Sequence, residues 1–175
     1  ARITAIVGKL LQFARPGDFG TFEEDVDLAA VLRDCLVLVD HVVTKAGHQV
    51  TLDTHAETPP VRINPGELQQ VIINLVTNAA QAMQTDGHLT LTTRPALRNG
   101  HPGAVLIVAD TGPGIPKDKL SLVFDPFFTT KQGEGTGLGL SVSQTLIQQA
   151  GGRITARNRA EGGAEFTVWL PAQTV

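Results

Sequence analysis

Two asparagines on one predicted helix could bind a cation. Asn74 and Asn78 lie four residues apart in the apolar segment 64–84, so they share a helix face with Glu67. Amides on a largely buried helix need hydrogen-bond partners, and their carbonyl oxygens suit a hard cation such as Mg²⁺. A ligand, a hydrated Mg²⁺ or hydrogen bonds within the protein could each supply those partners.

A second candidate site begins at Asp110, which ends a predicted strand and precedes a turn of small residues. A carboxylate in this position can accept a hydrogen bond from an exocyclic amine such as that of adenine. Gly112 and Gly114 would let a ligand ring approach the backbone. The alternative is a turn that the Asp110 side chain merely stabilises.

A glycine-rich segment, 133–141, leads into another predicted helix. Glycine at alternate positions lets the backbone approach a ligand, and the N–H groups of a helix start attract anions. The segment lacks the Gly-Lys-Ser/Thr triplet of a P-loop and does not directly follow a strand, as a dinucleotide fingerprint would. Just upstream lie Phe124, Phe127 and Phe128, which need a surface to pack against, and Lys131, which could reach a phosphate.

The composition is that of a globular protein. The 175 residues are 42% hydrophobic and 18% charged, with a net charge of −3 and interspersed signs, which argues against a nucleic-acid surface or a basic membrane arm. The single cysteine, Cys35, cannot form an internal disulfide, which fits a reducing, cytoplasmic setting. No stretch approaches the ~18 apolar residues of a membrane span.

The elements that would position these residues alternate between helix and strand patterns. Apolar residues at helical spacing mark a first helix over 2–15, and Asp27 caps a second one that ends near Lys45. Further predicted strands are 48–54, 61–63, 88–94, 104–109, 153–158 and 164–170, and further helices are 64–84, 117–123 and 136–150. This order predicts a two-layer α/β sandwich.

Taken in order, the Asn78 helix, the Asp110 turn, the phenylalanine segment and the glycine-rich helix start resemble the N, G1, F and G2 boxes of bacterial sensor histidine kinases. The stretch 135–141 (Gly-Thr-Gly-Leu-Gly-Leu-Ser) is a very specific match. The resemblance covers about residues 25–171. It implies the Bergerat ATP-binding fold shared with gyrase, Hsp90 and MutL, with a mixed sheet and about three main helices.

Residues 10–16 also resemble the end of the second dimerisation helix in kinases of the nitrogen-regulation sensor type. We therefore expect three parts: the end of a dimerisation and phosphoacceptor helix over 1–16, a linker over 17–25, and the catalytic ATP-binding domain over 26–175.

The resemblance implies ATP and Mg²⁺ as ligands. Asp110 would bind the adenine amine, Asn78 with Asn74 would hold Mg²⁺, and Lys131 would bind phosphate; Asn74, Asn78 and Lys131 would form the catalytic set. Residues 116–136 would be the ATP lid. The implied nucleotide-binding residues are Asn78, Asp110, Gly112, Gly114, Ile115, Phe124, Thr129, Thr130, Lys131, Gly135, Thr136, Gly137, Leu138, Gly139 and Leu140.

The implied reaction transfers the ATP γ-phosphate to a histidine on an N-terminal dimerisation domain, for relay to an aspartate of a response-regulator receiver domain. The ATP-hydrolysing relatives carry a glutamate base where this chain has Asn74, and an amide cannot take a proton from water. We therefore expect slow hydrolysis. The chain's own histidines are not expected to accept the phosphoryl group: His41, His48, His55, His88 and His101.

Two alternatives stay open. One is a serine kinase of the anti-sigma type, which shares the fold, and the other is a non-catalytic module whose ATP-dependent lid gates a partner interface. The expected partners are the dimerisation domain and the receiver domain, with no nucleic acid and no membrane contact by this part of the protein.

Overall fold

The computed structural model describes residues 23–126 and 139–172. Its strands are β1 (Glu23–Val26), β2 (Gln49–Thr54), β3 (Val61–Ile63), β4 (His88–Arg98), β5 (His101–Ala109), β6 (Arg153–Asn158) and β7 (Ala164–Pro171). Its α-helices are α1 (Leu28–Lys45), α2 (Pro65–Met83) and α3 (Gly139–Gln149), and a 3₁₀ helix spans Lys117–Leu122.

The strands form one main sheet and one small one. The main sheet has the order β2-β4-β5-β7-β6; β2 pairs with β4 in parallel, and the other neighbours are antiparallel. Strands β1 and β3 pair separately, and Val61 forms a bridge to Ala172 beyond the end of β7. This mixed sheet with three helices confirms the predicted α/β sandwich.

The core lies between the helices and one face of the main sheet. In α1 the buried side chains recur every three to four residues, and in β5 and β7 alternate residues point into the same cluster, as the helical and strand periods require. The members of the cluster from α1 are Leu28, Leu32, Cys35, Val39 and Val43; those from β5 and β7 are Ala104, Leu106, Val108, Ala164, Phe166, Val168 and Leu170. This packing fixes the helices against the sheet.

Cys35 is part of this core. Burial, with a smaller contribution from Asp34, raises the pKa of its thiol to about 12. The thiol therefore stays protonated and unreactive at neutral pH.

Both ends of α2 are held by specific contacts. At its start, the Asn64 side chain accepts a hydrogen bond from the N–H of Glu67. Near its end, the buried His48 ring bonds to the carbonyl oxygen of Ala80 through Nε2 (2.9 Å) and to the N–H of Gly87 through Nδ1 (2.9 Å). The helix that carries both asparagines is thereby tied to the start of β4.

Strands β4 and β5 are longer than predicted. Pro95, Pro102 and Gly103 lower the strand propensity of the hairpin ends, but Trp169 packs across them. Its indole N–H donates to the carbonyl of Ala96 (3.0 Å), and the Arg98 guanidinium lies 5.7 Å from the ring centroid. Tertiary contact thus extends both strands to the predicted turn, where two residues with positive φ reverse the chain.

The predicted linker, 17–25, ends in a strand that the sequence pattern did not indicate. Glu23–Val26 forms β1 because its backbone pairs with β3, almost forty residues further along the chain. The predicted helix 2–15 lies outside the described residues, and so does the start of the predicted helix 136–150. No helix among the described residues is long and apolar enough to cross a membrane.

Candidate nucleotide-binding site

Asp110 lies buried at the end of β5 with one carboxylate oxygen fully engaged. Oδ1 accepts hydrogen bonds from the backbone N–H groups of Gly112 (2.8 Å) and Ala164 (3.1 Å). Oδ2 has no hydrogen-bond partner among the described residues and is not sealed from solvent. The carboxylate is therefore held in one orientation with an acceptor oxygen left over for a ligand.

The two asparagines of α2 have different surroundings. Asn74 is 6% exposed, and its NH₂ group donates to the carbonyl of Gly139 and the hydroxyl of Ser143, both at 3.3 Å. Gln70 donates to its Oδ1 at 3.5 Å. Asn78 is half-buried, and its amide has no partner in the described part of the chain. Internal hydrogen bonds thus satisfy most of Asn74, whereas Asn78 is available to a ligand.

The loop after Asp110 is packed too closely for larger side chains. A Cβ atom at Gly112 would lie 3.1 Å from the carbonyl oxygen of Ala82. Gly114 has φ +80°, and a Cβ there would lie 2.8 Å from Oδ1 of Asn158. Gly114 is therefore favoured by its positive φ and by this contact, whereas a Cβ atom at Gly112 would require its neighbours to shift by a few tenths of an ångström.

Thr111 joins this loop to the end of α2. Its hydroxyl accepts from the backbone N–H of His88 (3.0 Å) and points at the sulfur of Met83 (3.6 Å). The candidate base-binding loop and the helix with Asn78 are thereby linked through one side chain.

Two residues near the loop were missed by sequence reasoning. The Asn158 amide bonds to both backbone groups of Ile115, and the Arg159 guanidinium donates to the carbonyl of Asp110 (2.9 Å). Both residues stand just before the Glu-Gly-Gly turn of the predicted β6–β7 hairpin. The hairpin was foreseeable, but nothing in its sequence indicates that it contacts residues more than forty positions earlier.

Among the other predicted site residues, Phe124 packs edge-to-face on Phe166, with ring centroids 6.1 Å apart. Leu140 is half-buried against the core, and Gly139 supplies the carbonyl that Asn74 binds. The remaining predicted residues lie outside the described ranges: Phe127, Phe128, Thr129, Thr130, Lys131, Gly135, Thr136, Gly137 and Leu138.

Within residues 23–126 and 139–172, the side chains that could ligate a metal ion include histidines, a cysteine and carboxylates. No group of three or more histidine, cysteine, aspartate or glutamate side chains in the described ranges could hold a metal ion. Among the histidines, His48 is buried in the hydrogen bonds described above, and His88 bonds to the Thr51 hydroxyl (2.6 Å).

Residues 63–174 match the family described as histidine kinase-, DNA gyrase B- and HSP90-like ATPases. The chain belongs to this family. The match includes α2, the Asp110 loop and the β6–β7 hairpin, which are the elements that build the site.

Comparisons with individual proteins are more specific than the family match. The chain is 35% identical to the sensor histidine kinase ZraS of Escherichia coli K12 over 170 residues, which are 97% of this chain and 35% of ZraS. It therefore spans about a third of the length of that kinase. Among solved structures, the catalytic domain of histidine kinase ThkA superposes with a TM-score of 0.77 at 32% identity, covering 88% of this chain and 99% of that domain.

Two further structures show states with bound molecules. Full-length ShkA, solved in complex with AMPPNP, superposes with a TM-score of 0.78 at 28% identity and covers 99% of this chain and 36% of ShkA. ThkA has also been solved in complex with the response regulator TrrA, and that structure has a TM-score of 0.74 at 27% identity, covering 98% of this chain and 48% of the ThkA chain.

Proposed function

We propose that this chain is the catalytic domain of a sensor histidine kinase, which binds Mg·ATP and transfers its γ-phosphate to a histidine on a separate dimerisation domain. The observation that carries the proposal is the Asp110 carboxylate, buried and oriented by two backbone N–H groups. Membership of the ATPase family and the names of the relatives support it.

Asp110 accounts for the choice of base. The free Oδ2 is an acceptor, and adenine presents an amine that donates. Guanine presents a carbonyl oxygen at the corresponding position, which a carboxylate repels. Because the engaged Oδ1 prevents the carboxylate from turning, the site discriminates between the two bases by the hydrogen-bond pattern alone.

The asparagine at the other side of the site fits a Mg²⁺ ion that retains most of its waters. The amide oxygen of Asn78 has no partner in the part of the chain that the structure describes, and Mg²⁺ takes few protein ligands when a nucleotide supplies phosphate oxygens. When bound, the ion would neutralise phosphate charge. We assign Asn78 as its protein ligand and give Asn74 the task of holding the start of α3. Lys131 remains the predicted phosphate-binding cation.

Transfer rather than hydrolysis follows from the residue at position 74. An amide there cannot deprotonate a water molecule, and the hydrogen bonds of Asn74 already commit its NH₂ group to Gly139 and Ser143. A neutral imidazole needs no strong base because it already has a lone pair. We therefore expect a histidine acceptor and slow ATP turnover by the domain alone.

The partners follow from the relatives. The ThkA–TrrA complex supports a response-regulator receiver domain as the second partner, after the dimerisation domain of the same kinase. The named relatives are sensor kinases, which favours this function over an anti-sigma-type serine kinase or a non-catalytic ATP-gated module. The nitrogen-regulation subtype, the domain boundaries and a cytoplasmic location remain predictions.

A calorimetric titration of the wild type and Asp110→Asn with non-hydrolysable ATP and GTP analogues, with and without Mg²⁺, tests the proposal. In the variant the two backbone N–H groups keep Oδ1, so the new NH₂ group takes the place of Oδ2. The adenine amine, a hydrogen-bond donor, would then face this NH₂ group, which is also a donor. We expect the ATP analogue to bind at least ~30-fold more weakly and discrimination against the GTP analogue to fall, because guanine O6 can accept from this NH₂ group.

Wild-type protein that does not bind the ATP analogue, or a variant that binds it equally well, would overturn the nucleotide site. The transfer step is tested by adding the dimerisation domain of a relative such as ZraS together with Mg·ATP. Acid-labile phosphate on its histidine supports the kinase. Acid-stable phosphoserine on an added substrate instead would support the anti-sigma type.

A further inference from the structure

We infer that Asn158 and Arg159, at the β6–β7 turn, are positioning residues that hold the loop 110–115 in the shape that binds the nucleotide base. The inference rests on the proposed function, since it takes Asp110 as the base-binding residue. Both residues bond to the backbone of the loop, so we assign them a positioning role.

Asn158 holds the end of the loop. Its Oδ1 accepts from the N–H of Ile115 (2.7 Å), and its NH₂ group donates to the carbonyl of the same residue (2.6 Å). Only one orientation of the amide satisfies both bonds. A single side chain thus replaces a strand neighbour for Ile115, and its removal would leave two partly buried backbone groups without partners.

The hairpin holds the start of the loop through three atoms of Asp110. The Asp110 N–H donates to the carbonyl of Ala164 (3.0 Å), Oδ1 accepts from the N–H of Ala164 (3.1 Å), and the carbonyl accepts from Nη1 of Arg159 (2.9 Å). The Arg159 side chain is only 20% exposed, and Glu161 pairs with its other nitrogen at 3.2 Å. The two nitrogens of one guanidinium thus contact the Asp110 carbonyl and the Glu161 carboxylate.

Glycines make this contact possible from both sides. A Cβ atom at Gly163 would overlap the carbonyl oxygen of Asp110, and one at Gly114 would lie 2.8 Å from the Asn158 amide. Hairpin and loop therefore meet backbone to backbone. Because both ends of a six-residue loop are held, the position of Oδ2 depends on the hairpin even though the hairpin does not supply that atom.

The experiment compares Asn158→Ala, Arg159→Ala and Arg159→Lys with a matched control, Arg157→Ala. Arg157 lies on the same hairpin and pairs with Glu165 (2.9 Å), and it has no hydrogen bond or ion pair to the described loop 110–115. For each protein we would measure affinity for the non-hydrolysable ATP and GTP analogues, the melting temperature, and hydrogen exchange of the Ile115 amide without ligand.

We expect Asn158→Ala to bind the ATP analogue roughly tenfold more weakly, the size of one lost net hydrogen bond, with little change for the GTP analogue. Its Ile115 amide should exchange at least ~10-fold faster while α2 amides stay protected. Arg159→Ala should lower the affinity for the ATP analogue by several-fold. Arg159→Lys should recover most of that loss, because an ammonium can still donate to the Asp110 carbonyl. Arg157→Ala should match the wild type.

Three results would overturn the inference. One is wild-type ATP-analogue affinity in Asn158→Ala, and another is unchanged exchange of Ile115, which needs no nucleotide to observe. The third is a result in which Asn158→Ala lowers the melting temperature, the protection of α2 amides from exchange and the affinity for both analogues together. Such a result would mean that Asn158 only stabilises the fold. If the wild type binds no nucleotide at all, the proposed function fails and the base-positioning role fails with it, while the exchange data still report whether Asn158 holds the loop.

Discussion

The two sides of the candidate site differ in how far the protein completes them by itself. On the base side, the N–H, the carbonyl and one carboxylate oxygen of Asp110 are all bonded to the protein. On the phosphate side, the Asn78 amide has no partner among the described residues. Preorganised groups recognise a ligand without having to reorganise, whereas an unpartnered polar group gains a partner when the ligand arrives. Under the proposed function, the base side would supply selectivity and the phosphate side would bind a cation and its phosphates.

Two asparagines on one face of α2 differ in the same way, in whether the protein supplies their hydrogen-bond partners. Asn74 and Asn78 are one turn apart, yet the start of α3 bonds to Asn74, whereas no described residue bonds to the Asn78 amide. Equal residue types at helical spacing thus acquire different tasks, one structural and one available to a ligand. The variants below test each side of the comparison in turn.

The largest effect is expected from closing the space between the hairpin and Asp110. In Gly163→Ala the new methyl group would overlap the Asp110 carbonyl, and φ is +88°. The neighbouring Gly162 has φ +105° but open space around it, so Gly162→Ala carries only the backbone strain. We expect the free energy of unfolding to fall by at least about 2 kcal/mol more in Gly163→Ala than in Gly162→Ala.

Urea unfolding of the two alanine variants measures this difference, and a titration with the ATP analogue measures its consequence. Gly163→Ala should lose nucleotide binding, whereas Gly162→Ala should keep it. Equal stability and equal affinity in the two variants would show that the hairpin does not press on the loop as closely as the distances indicate.

We expect effects of intermediate size from replacing each of the two asparagines. Asn74→Ala should change the stability, and Asn78→Ala should change the effect of Mg²⁺ on binding. Asn74→Ala removes a buried amide that bridges α2 and α3, so the free energy of unfolding should fall by about 1–3 kcal/mol. Asn78→Ala should change stability by less than about 0.5 kcal/mol. It should instead abolish the strengthening of ATP-analogue binding by Mg²⁺.

Urea unfolding and titrations with and without Mg²⁺ separate these roles. If Asn78→Ala retained the full effect of Mg²⁺ while Asn74→Ala lost it at unchanged stability, the assignment of the two residues would have to be exchanged.

The smallest effect is expected at the link between the two sides. Thr111→Val keeps the shape of the side chain but removes the acceptor for the His88 N–H. The free energy of unfolding should fall by about 1 kcal/mol, with affinity for the ATP analogue within about threefold of the wild type. Thr111→Ser retains the hydroxyl and should restore stability in the same urea experiment. Wild-type stability in Thr111→Val together with a loss in Thr111→Ser would contradict this and assign the effect to packing of the methyl group.

Much of the fold could be predicted because its signals are local. The cap at Asp27 and the cap at Asn64 both accept the expected backbone hydrogen bonds, and the Asn99-Gly100 turn adopts positive φ at both residues. Hydrophobic periods of two and 3.6 residues separated strands from helices. The strand β1 was missed because its pairing partner is distant in sequence, and the ends of β4 and β5 were missed because Trp169 stabilises them.

The candidate site divides in the same way. The sequence by itself determined the order of the motifs. Asp110, the two asparagines and the glycines could therefore be recognised as the motifs of a nucleotide-binding family. Only the tertiary structure decided that Asn74 is bonded internally, that the Asn78 amide has no partner among the described residues, and that Asn158 and Arg159 bond to the backbone of the loop 110–115. Such roles depend on hydrogen-bond partners more than forty residues apart, and these meet only when the hairpin and helices pack on one sheet.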